Sequence, residues 1–369
     1  MRLAAHAIVA STFVVVGGPA CAEPEFEPEV GEFVARGQHV ELWASEGHDI
    51  CGGTLSHLDR FVDALRERVG PQPEAEDLHR VYVLDDDDWS EGPCDEDARG
   101  CAAMGRTVYT RGVKPALHEL VHTELYNGGN SCFEEGLAVV FGEATVGAYP
   151  FVGDGDEHTC LETTGAIPFD LYQRAAHVTR YLINEYDLGP VLAFKRETSR
   201  DAGFADLHAA FLQTIGDDLD EVLVRYEEDY PVLCQNAGYR ISLLECSVPA
   251  TPWRSATMWD ETVMLDCADA SVVGWSAGER SEVRTIEIDE VRKVSLVVTS
   301  DDEDAHVLLA KCDSDCVDPD GESPNGPGEI EFDIEAGTTV LERLEPGKYW
   351  LRFARPSDGE VTLTVSDLL

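Results

Sequence analysis

Basic residues are scarce in this sequence of 369 residues. It contains 27 Lys and Arg against 72 Asp and Glu, which gives a net charge of −45 and a pI near 4.3. A surface with this charge repels phosphate backbones and anionic lipid headgroups. We therefore expect no nucleic-acid partner. Hydrophobic residues make up 43% of the chain, as in ordinary globular proteins, so a folded core is expected.

Long apolar runs and closely spaced cysteine pairs are also missing. No internal run reaches the roughly 20 apolar residues that cross a bilayer, so the sequence predicts no transmembrane helix. No two cysteines have the CxxC spacing. This absence argues against a zinc site made of thiolates and against a redox motif.

The first 22 residues are predicted to be an export signal. The apolar stretch from Ala4 to Val16 is too short to span a bilayer and fits the hydrophobic region of a secretory signal. Cys21 and its two alanine neighbours fit a cleavage site, or Cys21 is instead the lipid-bearing cysteine of a bacterial lipoprotein. Either route exports the protein to the cell envelope, as a periplasmic or lipid-anchored protein, or to the extracellular space. Residues 23–34 follow as an acidic leader that contains proline.

The cysteine count supports export. Without Cys21, ten of the eleven cysteines remain, an even number that allows up to five disulfides. Short spacing predicts two local pairs, Cys94 with Cys101 and Cys312 with Cys316. The other six cysteines cannot be paired from the sequence.

The chain divides into two regions of different character. Residues 35–250 mix short strand-like runs with helical patterns, including Pro115–Leu125 and Ser131–Gly142. In residues 265–369 helical periodicity stops, and short β-rich runs alternate with Gly, Pro and Asp turns, a spacing typical of a small β-sandwich. The sequence predicts an α+β fold: a small sheet with active-site helices and a helical subdomain, followed by an all-β sandwich domain.

The strongest chemical signal is the HExxH motif from His118 to His122. Positions i and i+4 share one face of a helix, so both imidazoles can reach a single metal ion. Glu119 can then meet a water molecule at that metal. A proline suits the first turn of such a helix, and Gly128 or Gly129 suits its end.

A third ligand is expected from the segment after the turn at residues 127–130. This turn can bring a second helix back antiparallel to the first. Ser131 and Glu134 have the spacing of a capping box, which leaves Glu135 for the metal. Two imidazoles and one carboxylate leave a fourth position open, as a catalytic zinc site requires. Zn²⁺ is therefore the expected cofactor, with Glu119 as the general base.

The segments HELVH and EEGLA together resemble the gluzincin (peptidase MA-like) zinc metallopeptidases, a group that includes aminopeptidase N and thermolysin. The resemblance covers roughly residues 35–235. It implies His118, His122 and Glu135 as zinc ligands, Glu119 as the base, and a peptide or protein as substrate. The Gly-x-Met-Glu-Asn motif of the aminopeptidases is absent, so an endopeptidase is expected.

Some parts of the family pattern are missing. Val139 stands where thermolysin-like members carry an aspartate that orients a ligand histidine. Tyr172 and His177 are the candidates for stabilising the oxyanion, although each could instead be a packing residue. By analogy with the family, the strand Thr107–Thr110 is expected to pair with the substrate backbone. Two alternatives stay open: an inactive envelope or binding protein that retains the fold, and a hydrolase of non-peptide amides.

The C-terminal region resembles the bacterial pre-peptidase C-terminal domain, best in Leu344–Phe353 and Gly359–Val365. That resemblance implies an accessory role in secretion, solubility or binding of a substrate surface. Aspartates between Asp313 and Asp320 have a spacing suggestive of Ca²⁺. The alternative for this segment is an acidic hairpin closed by Cys312 and Cys316.

Overall fold

The computed structural model describes residues 31–70, 78–96, 98–103, 106–125, 129–142, 157–229, 241–253, 258–276, 278–312 and 331–368. The predicted signal segment, Cys21 and the aspartates from Asp313 to Asp320 lie outside these residues. The first five strands are β1 (Glu32–Arg36), β2 (Val40–Ala44), β3 (His79–Val83), β4 (Gly100–Ala103) and β5 (Thr107–Thr110). The helices are α1 (Thr54–Val69), α2 (Asp86–Glu91), α3 (Val113–Glu124), α4 (Ser131–Gly142), α5 (Glu157–Glu162), α6 (Tyr172–Tyr186), α7 (Leu188–Arg196), α8 (Phe204–Thr214) and α9 (Leu219–Asp229). The remaining strands are β6 (Thr251–Pro252), β7 (Met258–Leu265), β8 (Val273–Gly274), β9 (Arg280–Ile288), β10 (Arg292–Ser300), β11 (His306–Lys311), β12 (Glu331–Glu335), β13 (Thr339–Leu344), β14 (Gly347–Arg355) and β15 (Gly359–Asp367).

The N-terminal sheet has the strand order β1-β2-β3-β5-β4. Its three central strands are parallel, and the two outer strands, β1 and β4, are antiparallel to their neighbours. Because β5 lies between β3 and β4, both of its edges are already paired. The expectation that Thr107–Thr110 pairs with a substrate is therefore wrong, and the edge position belongs to β4.

One hydrophobic cluster joins this sheet to the helices. Helix α1 shows how the sequence builds it, because Leu58, Phe61, Val62 and Leu65 recur at helical spacing and are fully or almost fully buried. Helix α4 has the bounds predicted from the sequence and is buried along most of its length. It packs against both α3 and α6, so it lies in the interior of the helical layer.

The C-terminal region contains two further sheets. One has the order β13-β10-β15-β7, and the other has the order β12-β11-β14-β9-β6, with β8 also paired to β9. Buried side chains of both sheets, such as Leu296 and Val365 on one and Val307 and Phe353 on the other, belong to a single hydrophobic cluster. The mixture of helices and sheets confirms the predicted α+β class.

Four disulfides connect described cysteines: Cys51–Cys267, Cys94–Cys101, Cys132–Cys160 and Cys246–Cys312. The predicted pair Cys94–Cys101 is confirmed. The predicted pair of Cys312 with Cys316 is wrong, because the end of β11 lies beside the turn that contains Cys246. Lys348 bridges the two positions: its backbone carbonyl accepts from the Cys312 amide, and its ammonium group donates to the Cys246 carbonyl.

The segment before α1 joins the N-terminal part to the β-rich part. Besides the Cys51–Cys267 bond, the amides of Cys51 and Gly53 donate to the carbonyls of Gly274 and Val272, at 3.0 and 2.9 Å. The disulfides fit an exported protein. Among the described helices, none has the length and apolar character needed to cross a membrane.

Candidate metal centre

Helix α3 is anchored at its C-terminal end by a buried carboxylate. The Glu124 side chain has no exposed surface, and its Oε1 accepts hydrogen bonds from Arg66 and His79. Arg106 lies 3.1 Å from the same oxygen. Burial opposes ionisation of Glu124, but these partners outweigh it and lower its pKa to about 2. The ionised cluster fixes α3 against α1 and the sheet.

The side chains of His118, His122 and Glu135 converge on one point. His118 Nε2 lies 3.1 Å from His122 Nε2, and Glu135 Oε2 lies 3.2 and 3.1 Å from these two nitrogens. Ligand atoms about 2.0–2.1 Å from a tetrahedral zinc ion are about 3.3–3.4 Å from one another. The three atoms therefore have nearly the separation that a bound zinc ion would impose.

The charge of Glu135 also suits a cation. Burial favours its protonated form, but the charges of His122 and His118 and their hydrogen bonds hold the pKa of Glu135 well below its usual range. His118 is buried, whereas His122 and Glu135 retain some exposure. The fourth side of such a site can therefore be reached from solvent.

Two glycines in α4 bring Glu135 to the histidines. A Cβ atom on Gly142 would lie 2.6 Å from the Cα of His118, and one on Gly136 would lie 2.4 Å from the carbonyl oxygen of Ala175 in α6. Any side chain at these positions would push the helices apart. Glycine thus lets α4 pack closely against α3 on one side and α6 on the other.

The start of α4 differs from the predicted capping box between Ser131 and Glu134. Asn130 caps the helix instead, because its Oδ1 accepts from the amide of Cys132 at 2.9 Å. The Asn130 amide group also donates to two buried carbonyls, of Leu161 and Ala202. The cap is therefore part of the core.

Glu134 is held by Lys195 of α7 and not by the helix start. The two charged groups are 3.5 Å apart. Lys195 also donates to the carbonyl of Leu125, at 2.9 Å, just after α3 ends. The helix ends at Glu124, before the predicted stop at Gly128 or Gly129. Lys195 thus ties the end of α3 to the start of α4, a role that nothing in the local sequence indicates.

Glu119 is 8% exposed and lies beside the edge strand β4. A Cβ atom on Gly100, the first residue of β4, would come within 3.0 Å of the Glu119 Cγ and Oε1 atoms. The absence of a side chain at Gly100 leaves room for the carboxylate. Glu119 thus reaches the strand edge instead of joining the three converging ligand atoms.

The structure brings one of the two oxyanion candidates close to the candidate metal centre. The ring of Tyr172 is parallel to that of His118, with centroids 5.9 Å apart. His177 lies five residues further along α6, on a different face of the helix, and is fully buried. Its Nδ1 is 2.6 Å from the hydroxyl oxygen of Tyr226. His177 therefore belongs to the helical core.

No protein-family model matches the chain, and no curated protein matches it either. The pre-peptidase C-terminal domain of a collagenase from Bacillus anthracis is 15% identical over 32% of this chain and 96% of that chain, with a TM-score of 0.19.

Two other solved structures are comparably distant. The aminopeptidase A of Legionella pneumophila, in complex with aspartic acid, is 10% identical over 86% of this chain, with a TM-score of 0.32. This chain covers only 34% of that enzyme. A mutant of PliG-Ec, a periplasmic inhibitor of g-type lysozyme from Escherichia coli, is 12% identical over 32% of this chain and 98% of that chain, with a TM-score of 0.16. Similarities this weak carry no argument about fold or function.

Proposed function

We propose that the protein is an exported zinc-dependent metallopeptidase that hydrolyses peptide bonds. The observation that carries the proposal is the convergence of His118, His122 and Glu135, whose ligand atoms are separated by 3.1–3.2 Å. Two imidazole nitrogens and one ionised carboxylate are the donors of hydrolytic zinc sites that keep an open position. The motif that supplies them also supplies Glu119, a residue that metal binding alone does not require.

Each residue has a defined task in this proposal. Zinc, when bound, would supply a Lewis acid that polarises the substrate carbonyl and lowers the pKa of a coordinated water to about 7. Glu119 accepts a proton from the attacking water and passes it to the leaving amine. Tyr172, whose ring stacks on that of His118, would donate a hydrogen bond from its hydroxyl to the oxygen that gains charge during the attack.

The edge strand β4 is the proposed binding surface for the substrate backbone. Only one side of β4 is paired within the described residues, so its other side can accept an extended peptide by β-augmentation. Gly100 places the strand next to Glu119, and the disulfide Cys94–Cys101 fixes it. A peptide bound along the strand needs no free end there, which favours an endopeptidase.

Metal analysis with matched variants tests the ligands. Mass spectrometry of purified residues 23–369 should find about one zinc per chain in the wild type. We expect Glu135→Ala to lose most of the metal and Glu134→Ala to keep it, because Glu134 contacts Lys195. Loss of zinc only in Glu134→Ala would show that the ligand is wrongly assigned. A folded wild type without zinc would leave a binding scaffold as the function.

Kinetics with a casein substrate test the chemistry. Glu119→Gln should retain zinc and lower kcat by roughly 10²- to 10⁴-fold, the usual contribution of a general base. Equal hydrolysis by the wild type and this variant would contradict the mechanism.

The buried Val139, at the position of the orienting aspartate in thermolysin-like enzymes, favours an inactive binding protein as the second candidate. Zinc binding without hydrolysis of any peptide or amide would support that candidate.

A further inference from the structure

A cavity of about 660 Å³ lies where the β-rich part meets the N-terminal part. Its walls come from the first turns of α1, from α3 and the segment before it, and from strands β9 and β14. Residues between Ala270 and Glu279, together with Glu245 and Val248, complete them. None of the three converging metal ligands lines it, although Leu117, next to His118 in the chain, does. Sites for small molecules and cofactors occupy roughly 300–1,000 Å³, so the cavity has the size of a ligand site.

The walls combine an apolar surface with a few polar groups. Leu117, Trp275 and Val283 supply the apolar part, and the first two are buried. Ser56 and Ser271 lie on the exposed side, where the cavity meets solvent. An apolar lining with a small number of placed polar groups is the usual composition of a ligand pocket.

Four arginines line this cavity: Arg60, Arg111, Arg284 and Arg352. This is a local concentration of positive charge, because the chain has only 27 basic residues and a net charge of −45. Three glutamates also line the cavity, and two of them face arginines. Glu282 forms an ion pair with Arg284, and Glu245 interacts electrostatically with Arg352.

Of the two remaining arginines, Arg111 lies 3.5 Å from the carboxylate of Asp86, so Arg60 is the one that the acidic side chains of the described residues do not neutralise. It lies on the exposed side of α1 and donates from Nε to the carbonyl of Ser56 at 3.3 Å. No carboxylate of the described residues forms an ion pair with it. His57, deeper in the cavity, adds no charge at neutral pH, because burial lowers its pKa to about 4 despite the nearby Glu245.

We propose that this cavity binds a carboxylate group, carried either by an acidic peptide or by a small organic acid. The guanidinium of Arg60 is the anchor for the carboxylate, since arginine pairs with carboxylates through parallel hydrogen bonds. The apolar wall accepts the aliphatic part of the same molecule. The site is separate from the metal centre and does not depend on the function proposed for it.

Calorimetric titration of residues 23–369 tests this proposal. The probes are glutarate and its neutral analogue glutaramide, and the blocked peptide Ala-Glu-Glu-Ala with its Gln-Gln counterpart. All titrations use the Glu135→Ala variant, freed of residual metal by dialysis, so that no carboxylate can bind through zinc and no peptide is cleaved. We expect binding of the charged probes only. Binding of glutarate identifies a small acid as sufficient, whereas binding of the peptide alone identifies a peptide ligand.

Matched arginine variants locate the site. Arg60→Gln should weaken binding by roughly ten- to hundred-fold, the effect of losing a charged hydrogen bond. Arg343→Gln removes an exposed arginine on β13 that does not line the cavity. This variant should bind the charged probes with the same affinity as the parent protein. The proposal is overturned if neither charged probe binds at millimolar concentration. Equal binding by Arg60→Gln and Arg343→Gln would also overturn it.

Discussion

Gly142 lies directly against the backbone of His118, where a Cβ atom would approach the His118 Cα to 2.6 Å. The same Cβ atom would lie 2.7 Å from the amide nitrogen of His118 and from the carbonyl oxygen of Leu117. These are backbone atoms, which cannot turn aside as the end of a side chain can. The contact therefore sets the distance between α3 and α4, and with it the distance from Glu135 to the histidines.

The first prediction concerns this contact. Gly142→Ala should separate α4 from α3, destabilise the protein by about 1–3 kcal/mol through overpacking, and weaken zinc binding by roughly ten-fold or more. Gly189→Ala is the control, because a Cβ atom at this position in α7 meets nothing within 4 Å. Urea unfolding and competitive zinc titration measure the two effects. Equal zinc affinity in both variants would show that the contact does not position the ligand.

The second prediction concerns pH. Glu124 has a folded-state pKa of about 2, below the ordinary value of 4.5 for a glutamate. Its ionised form therefore contributes stability above pH 4.5, about 3 kcal/mol from the shift. This contribution is lost as the pH falls from 4.5 through 2. Glu124→Gln should lower stability at pH 7, because Arg66, Arg106 and His79 lose their common anion.

Urea unfolding at several pH values between 2 and 7 measures this effect. The stability difference between the wild type and Glu124→Gln should shrink as the solution becomes acidic. Both proteins are measured without metal, so that titration of the proposed zinc ligands is common to both and cancels. A stability difference that stays constant over this pH range would contradict the claim that ionised Glu124 stabilises the fold.

The third prediction concerns the cap of α4. Asn130→Ala removes a helix cap and leaves the buried carbonyls of Leu161 and Ala202 without their donor. The free energy of unfolding should fall by about 3 kcal/mol. The lost cap contributes about 1 kcal/mol of this, and the unsatisfied carbonyls contribute about 1–3 kcal/mol. Ser131→Ala should cost less than about 1 kcal/mol, since Ser131 does not cap the helix. Denaturant unfolding of both variants distinguishes the observed cap from the capping box predicted by the sequence.

The fourth prediction concerns the disulfide between the two parts of the chain. Replacing Cys51 and Cys267 by serine removes a bond that closes a loop of 216 residues. Because the unfolded chain is then less restricted, the free energy of unfolding should fall by about 5 kcal/mol. Replacing Cys94 and Cys101 opens a loop of 7 residues and should cost about 2 kcal/mol. Urea unfolding of the two double variants measures both losses. Equal losses would mean that the long-range bond does not restrict the unfolded chain as expected.

Local spacing was enough to identify the parts of the site that lie on one helix. His118 and His122 face the same way because they are four residues apart, and the sequence shows this directly. The approach of Glu135 is different. It depends on glycines whose importance appears only once α4 is packed against α3 and α6, and the sequence could suggest it only through a family resemblance.

Contacts between distant segments were beyond local reasoning. Lys195 follows Glu134 by 61 positions in the numbering, and no local pattern links them. The pairing of Cys312 with Cys246 was missed for the same reason, because proximity along the chain favoured Cys316. The edge position of β4 likewise depends on strand order, which strand-like residues alone do not determine.

The bond between Cys51 and Cys267 also imposes an order of events during synthesis. The chain emerges from its N-terminus, so Cys51 appears 216 residues before its partner exists. Throughout that interval Cys51, which precedes α1, can pair with cysteines that emerge before Cys267, such as Cys94 and Cys101. Faithful pairing therefore requires either delayed oxidation or a disulfide isomerase in the compartment where the protein matures.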